Sequence, residues 1–220
     1  MATEVRLRSE TYMAAINGLI IFLDLDRDRY YCLPGKRLGA TPRAQLLTLK
    51  REKSAQAVLR NRGLVADERA SGQPMSFTDY PLPTADVPHS GISVNLLNRR
   101  KVVAGLNRAD RILSARPIAH IVRERRERCS VARTGGSDDA KAIRRAIQFE
   151  IWRPSISRVD QCLADSLALL EFLEGNGHTA DWVFAVTAPP FAAHCWVQIG
   201  STVLNDTLDH ARLYVPIMVA

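Results

Sequence analysis

Cys162, His194 and Asp206 stand out in this 220-residue chain as a set whose order suits nucleophilic chemistry. A thiolate attacks a carbonyl, an imidazole manages the protons, and a carboxylate on the second ring nitrogen fixes the tautomer and supports the charged ring. A helix N-terminus favours thiolate by only about 0.3–1 kcal/mol. A neighbouring imidazolium can lower a cysteine pKa by several units, so Cys162 needs His194. Taken singly, each residue has another reading: Cys162 as a small core hydrophobe, His194 as a satisfied structural histidine, Asp206 as a turn cap. What joins them is their order, a helix-borne cysteine followed by a buried strand, a strand-borne histidine and a strand-borne aspartate.

Local patterns define the helix and strands that carry this set. Phe191 to Ile199 reads as a strand, Gly200-Ser201 as the heart of a turn, and Thr202 to Asp206 as a returning strand. Side chains alternate faces along a strand, so His194 shares a face with Trp196 and Gln198, and Cys195 cannot be its partner. Trp196 then covers the imidazole, lines a substrate groove or is simply a packed aromatic. For Asp206 to lie opposite His194, the loop must be Ile199-Gly200-Ser201, or the strand must carry a bulge; a two-residue turn alone would pair Asp206 with Cys195. Upstream, Asp160 to Glu174 reads as a helix capped by Asp160 or Ser157, with Leu163, Leu167, Leu170 and Leu173 as its packed stripe and Gly175-Asn176-Gly177 as its end. Cys162 falls in its first or second turn. Trp182 to Thr187 is an apolar run of the length of a central buried strand.

The remainder implies an α+β protein of two domains, residues 1–85 and 95–220, joined by a linker at 86–94. Ile16 to Leu25, the polar Asp26-Arg27-Asp28 and Arg29 to Leu33 read as a hairpin, followed by helices over Arg43 to Leu49 and Ser54 to Arg60. Together these make a small winged-helix-like unit, able to bind DNA through a helix or a peptide along a strand edge. Pro74, Pro81, Pro83 and Pro88 disfavour helix and strand alike between Gly72 and Gly91. Helical patterns then run on either side of Pro117, and a further helix capped by Ser137 or Asp138 carries Ala142, Ile143, Ala146 and Ile147.

Composition narrows the function classes. No apolar run approaches the length of a membrane span, and the N-terminus lacks the basic-then-apolar order of a signal peptide, so a cytoplasmic home is expected. Cys32, Cys129, Cys162 and Cys195 are widely spaced, without zinc-site or disulfide-framework spacing, and no metal is expected. No phosphate-binding or dinucleotide-binding glycine pattern is present, so no cofactor is implied. Charge is uneven: residues 1–87 carry +3, residues 88–150 +8 and residues 151–220 −4. The basic middle suits an anionic partner or, more simply, solvated helical faces. His89 and His120 lack nearby ligand partners, and His178 and His210 read as solvated loop histidines.

Cys162-Leu163-Ala164-Asp165-Ser166-Leu167-Ala168-Leu169, Val183-Phe184-Ala185-Val186, Pro190 to Val197 and Leu204-Asn205-Asp206 together resemble the lasso peptide biosynthesis B protein family. That resemblance implies a leader peptidase of transglutaminase-like, papain-like fold with a Cys162–His194–Asp206 triad. Asn17 to Leu25 followed by Tyr30-Tyr31-Cys32-Leu33 resembles the PqqD-like recognition element that some members carry in front. The resemblance implies that the leader adds as a strand along Arg29, Tyr30, Tyr31, Cys32 and Leu33 and packs on the helix near Ser54 to Arg60. It also implies a lasso precursor as substrate and an asparagine-synthetase-like cyclase as partner, with no nucleic acid. ATP has been linked to leader removal in that family, although this chain shows no nucleotide motif. Acyl transfer to an amine is the alternative within the same fold, and a non-enzymatic peptide- or DNA-binding module the alternative outside it.

Overall fold

The computed structural model describes residues 3–38, 40–43, 46–49, 52–65, 80–88, 96–132, 138–153 and 161–220. The chain divides into two compact units, the first comprising residues 1–80, 185–193 and 215–218, and the second residues 81–184, 194–214 and 219–220.

The first unit contains β1 (Thr3–Arg6), β2 (Thr11–Ile16), β3 (Leu19–Asp24), β4 (Arg29–Pro34), α1 (Gly35–Leu38), β5 (Ala40–Arg43), β6 (Leu46–Leu49) and α2 (Glu52–Asn61). Two three-stranded sheets result, in orders β2-β3-β4 and β1-β6-β5. The expected hairpin is present as β3–β4, but a second hairpin precedes it. Asn17 and Gly18 both take positive φ, 48° and 79°, and pair Ile16 with Leu19. An Asn-Gly pair is the favoured centre of a two-residue hairpin turn, so Ile16 to Leu25 is a strand end, a turn and a new strand. The helix expected over Arg43 to Leu49 is instead the ends of two antiparallel strands, with Leu46 to Leu49 paired to β1 on one side and β5 on the other. Leucine's helix preference amounts to a few tenths of a kcal/mol per residue and yields to two ladders of backbone hydrogen bonds. The unit therefore holds more strand than the winged-helix-like expectation. Its core is Val5, Leu7, Ile20, Phe22, Leu33, Ala55, Leu59 and Leu64.

The remaining elements are β7 (Ala85–Asp86), α3 (Leu96–Ala115), α4 (Ile118–Ala132), α5 (Asp139–Glu150), α6 (Cys162–Glu174), β8 (Asp181–Thr187), β9 (Ala192–Ile199), β10 (Thr202–Val203), α7 (Leu208–Ala211) and β11 (Val215–Val219), and they belong to the second unit except for residues 185–187 of β8, 192–193 of β9 and 215–218 of β11. The five-stranded sheet runs β11-β8-β9-β10-β7, which places the Trp182 to Thr187 run inside the sheet, between β11 and β9, as its apolar composition implies. The proline-rich stretch is not all linker: Ala85 and Asp86 run parallel to β10, and Val87 donates its N–H to the Val203 carbonyl. Asp138 caps α5 by accepting from the Lys141 N–H, and Pro117 separates α3 from α4. The expected caps Ser157 and Asp160 lie outside the described residues; the N-cap of α6 is Gln161. Among the described residues, no helix is long and apolar enough to cross a membrane.

α3 and α5 both pack against α6, which is buried from Ala164 to Leu170 without interruption. That corrects the single leucine stripe: Ala168 and Leu169 are as covered as Leu167 and Leu170. The helix ends where expected, with His178 donating to the Leu173 carbonyl and Gly177 to that of Glu174. Part of the basic excess lies inside the protein. Arg125 of α4 is fully buried, bonded to Glu174 and donating to the Ala180 carbonyl at 2.9 Å, so it clamps the C-terminal end of α6. Replacing Arg125 with Ala removes this clamp and leaves Glu174 with Arg128 at 3.3 Å, and urea unfolding should show a loss of about 3 kcal/mol.

Candidate active site

Cys162 is the first residue of α6, half-buried, at the end where backbone N–H groups have no intrahelical acceptor. The Cys162 thiol is a hydrogen-bond partner of the His194 ring on β9. His194 Nε2 donates to Asp206 Oδ2 at 2.6 Å. Cysteine, histidine and aspartate therefore form one contiguous chain of contacts.

Asp206 does not arrive there by the expected register. The β9–β10 turn is a two-residue turn, with Ile199 opposite Thr202 and Gln198 opposite Val203, and Gly200 supplies the positive φ of 55° at its first central position. Continued without interruption, that ladder would have set Asp206 against Cys195. Instead it ends at Leu204, whose N–H donates to the Val197 carbonyl at 2.9 Å. The Val197 N–H is taken by the side-chain oxygen of Asn205, at 2.7 Å, in place of a strand carbonyl. The chain bends over residues 204–206, and the bend delivers the Asp206 carboxylate to the His194 side. The Asn205 amide also donates to Ser166 Oγ at 3.0 Å, one helical turn along α6 from Cys162.

Trp196 and Gln198 share the His194 face, as alternation requires, and the Trp196 N–H donates to Gln198 Oε1 at 2.9 Å. Trp196 is fully buried, with its ring 6.0 Å from that of His194. It backs the imidazole and offers no surface to a substrate groove. Cys195 is buried on the opposite face; it is a partner of Cys162 and not of His194, with its sulfur 3.8 Å from Ser166 Oγ.

Two further residues join the site without having been expected there. His210, on α7, donates from Nδ1 to Asp206 at 2.8 Å, and its ring lies 4.7 Å from that of His194. Tyr214 lies 5.1 Å from His194, ring to ring. The available signal was the four-residue spacing of Asp206 and His210 across Thr207, whose side chain accepts from the His210 N–H as a helix cap. His194, Asp206 and His210 each offer one ligand atom within 4.8 Å of the others, the one trio among the described residues that could hold a metal ion. Their atoms are already matched to one another as donors and acceptors, which suits a proton network without a metal.

The electrostatics agree with the geometry. The hydrogen bond from Cys195 and then the His194 ring, aided by the Cys195 backbone N–H, overcome burial and lower the Cys162 pKa to about 4. Burial alone would depress His194, but its bonds to Asp206 and Cys162 raise it to about 9. The resting pair is thiolate and imidazolium. Burial and the adjacent Cys162 push Cys195 well up, so it remains a neutral thiol. Behind the pair, Arg153 bridges Glu150 at 2.8 Å and Asp165 at 2.9 Å. Burial raises Glu150 to about 7 against the pull of Arg153, with Asp165 and Asp206 adding to the rise.

Of the proposed leader contacts on β4, Leu33 and Tyr31 face the first unit's core, and Arg62 lies 5.5 Å above the Tyr31 ring. Tyr30 packs against Phe191, within the same unit, at 5.4 Å. Arg29 and Cys32 are exposed. Among the described strands β4 pairs with β3 alone.

Alkylation of Cys162 by iodoacetamide, followed by mass spectrometry, should hold a plateau from about pH 8 to about pH 5 and fall as the pH drops through about 4. His194→Ala should move that fall up toward the ordinary thiol range. Asn205→Ala leaves the buried Val197 N–H without its acceptor and should cost about 1–3 kcal/mol in urea unfolding.

No curated protein and no solved structure matches the chain. Residues 103–219, which hold α4 to β11 and with them every residue of the Cys162–His194–Asp206 cluster, match the transglutaminase-like superfamily, and the chain belongs to that superfamily.

Proposed function

We propose that this chain is a cysteine endopeptidase that removes the leader from a lasso peptide precursor. The observation that carries the reading is the unbroken line from a half-buried thiolate at a helix N-terminus, through His194, to Asp206 at 2.6 Å. The superfamily includes cysteine proteases and acyl transferases, and both use such a thiolate.

The Cys162 sulfur attacks the scissile carbonyl carbon, and the carbonyl electron pair moves to oxygen. The first-turn N–H groups of α6, beginning with that of Cys162, point to the end where this oxyanion develops. As the tetrahedral species collapses, the C–N bond breaks and His194 gives its proton to the departing amine. A thioester to Cys162 remains. His194, now neutral, removes a proton from water, whose oxygen attacks the thioester; the acid leaves and the thiolate–imidazolium pair returns. Asp206 holds His194 by Nε2 throughout, leaving the other ring nitrogen for the sulfur and the substrate.

The first unit serves, in this reading, as the PqqD-like holder of the leader. Its support is the position of β4 at the end of its sheet among the described strands, the place where a further strand is added. With Leu33 turned into the core, recognition falls on the backbone, on Arg29 and Cys32, and on the exposed parts of Tyr30 and Tyr31. The product would pass to an asparagine-synthetase-like cyclase in the cytoplasm.

The test is a lasso precursor incubated with the full chain and monitored by mass spectrometry. Cys162→Ala should reduce cleavage by at least about a thousandfold while leaving leader binding unchanged in fluorescence anisotropy. Cleavage at the wild-type rate by that variant refutes the assignment. An amine-linked product in the presence of added amine would place the protein among the acyl transferases instead.

A further inference from the structure

Asp206 accepts from two imidazoles, not one. His194 Nε2 approaches Oδ2 at 2.6 Å, and His210 Nδ1 approaches Oδ2 at 2.8 Å and Oδ1 at 3.0 Å. A carboxylate can only accept, so both nitrogens carry their protons. The Thr207 backbone N–H donates to Oδ1 at 2.8 Å from the other side. These three donors together lock the carboxylate against rotation about its own bonds.

The constraint matters because Asp206 lies in a bend, outside the β9–β10 ladder. No strand register sets its side-chain direction. Asn205 fixes the backbone one residue earlier, and the next element is the short helix α7, capped by Thr207 and carrying His210 at i+4 from Asp206. His210 also packs edge-on to Tyr214 at 5.4 Å, and Tyr214 in turn lies over His194. The His210 ring is therefore fixed by packing on one side and bonded to the carboxylate on the other.

We propose that His210 is a positioning residue: by donating to Asp206 it holds the carboxylate on His194, and so keeps the His194 imidazolium and the Cys162 thiolate paired. The inference rests on the reading of Cys162–His194–Asp206 as the reacting cluster, but not on what that cluster cleaves. Without the His210 bond, only His194 and the Thr207 N–H hold the Asp206 carboxylate, and its orientation on His194 is less firmly set. His194 then loses part of its support as a cation, and the thiolate beside it becomes less favourable. The other groups that act on the cluster, the Cys195 thiol beside Cys162 and the Glu150 carboxyl whose charge Asp206 feels, are left in place.

The experiment uses two variants of the full chain. His210→Phe keeps a ring against Tyr214 and removes the donor; His210→Asn places an amide N–H near the position of Nδ1. Each is titrated by the rate of Cys162 alkylation against pH, with a thermal melt to confirm folding. In His210→Phe the alkylation midpoint should rise by about one pH unit, and kcat/KM on a lasso precursor should fall about tenfold with KM little changed. His210→Asn should restore most of both. A His210→Phe chain that melts like the wild type and titrates at the wild-type midpoint overturns the proposal. Loss of both properties in His210→Asn as well, with normal melting, also overturns it, because the role would then belong to the ring and not to the donated bond. If the midpoint rises as stated while no precursor is cleaved by the wild type, the positioning role stands and the peptidase reading is what fails.

Discussion

The hydrogen bond from His194 to Asp206 is the contact on which the arrangement of the site depends, and it exists only because a ladder stops. The two-residue turn at Gly200-Ser201 fixes a register that would bring Asp206 to Cys195, on the wrong face of β9. Asn205 ends that register by giving its side-chain oxygen to the Val197 N–H, a backbone donor that cannot be left bare at this depth. Once the donor is satisfied, the main chain is free to turn away, and Asp206 crosses to the histidine side. The same amide reaches Ser166 on α6, so one residue ties together the strand that carries the histidine, the helix that carries the cysteine and the bend that carries the aspartate.

The charges of the site are held in alternation: thiolate, imidazolium, carboxylate, and then the donors of His210 and Thr207. Burial works against every charged member, raising the thiol and the carboxylate and lowering the imidazole. What reverses each of these is a direct hydrogen bond. The charged state of each member therefore depends on these bonds being made. Glu150 shows the opposite outcome nearby: its pairing with Arg153 is outweighed by burial and by the carboxylates of Asp165 and Asp206, and its pKa rises to about 7.

Much of this is legible in the sequence, and the failures have physical reasons. The helix after Gln161, its end at Gly175-Asn176-Gly177 and the central strand at Trp182 to Thr187 come from local patterns, because capping, helix termination and apolar run length are properties of neighbouring residues. Alternation correctly puts Trp196 and Gln198 with His194, though not the full burial of Trp196, which depends on what lies above the sheet. The three-residue loop fails because parity does not persist to Asp206: a side chain, Asn205, takes over a backbone role. His210 reads as solvated in the sequence since its partner, though close along the chain, is reached only through a short capped helix. Asn17-Gly18 is a visible turn signal hidden inside an apolar run. Leu46 to Leu49 becomes strand through pairing with Thr3 to Arg6, a contact between segments about forty residues apart that no local propensity contains.

The position of the cysteine reflects the nature of its helix. From Ala164 to Leu170 every residue of α6 is buried, and its middle is enclosed by α3, α5 and the rest of the core. Such a helix has no face on which a reactive group could meet a substrate. Its two ends are different, because each leaves backbone groups that the helix itself cannot satisfy. At the C-terminal end the N–H groups of Gly175 to His178 take the last carbonyls, and Arg125 pairs with the Glu174 side chain, supplying positive charge where the helix dipole is negative. At the N-terminal end the first-turn N–H groups remain for an anion, and Cys162 stands there as a thiolate, half-exposed while the residues behind it are closed off. An enclosed helix clamped at one end can shift little along its axis, so the sulfur is held at a constant height against the imidazole of β9. The rigidity that the core gives to α6 thus sets the precision of the Cys162–His194 contact, and the thiolate occupies the one end of the helix where rigidity and exposure coincide.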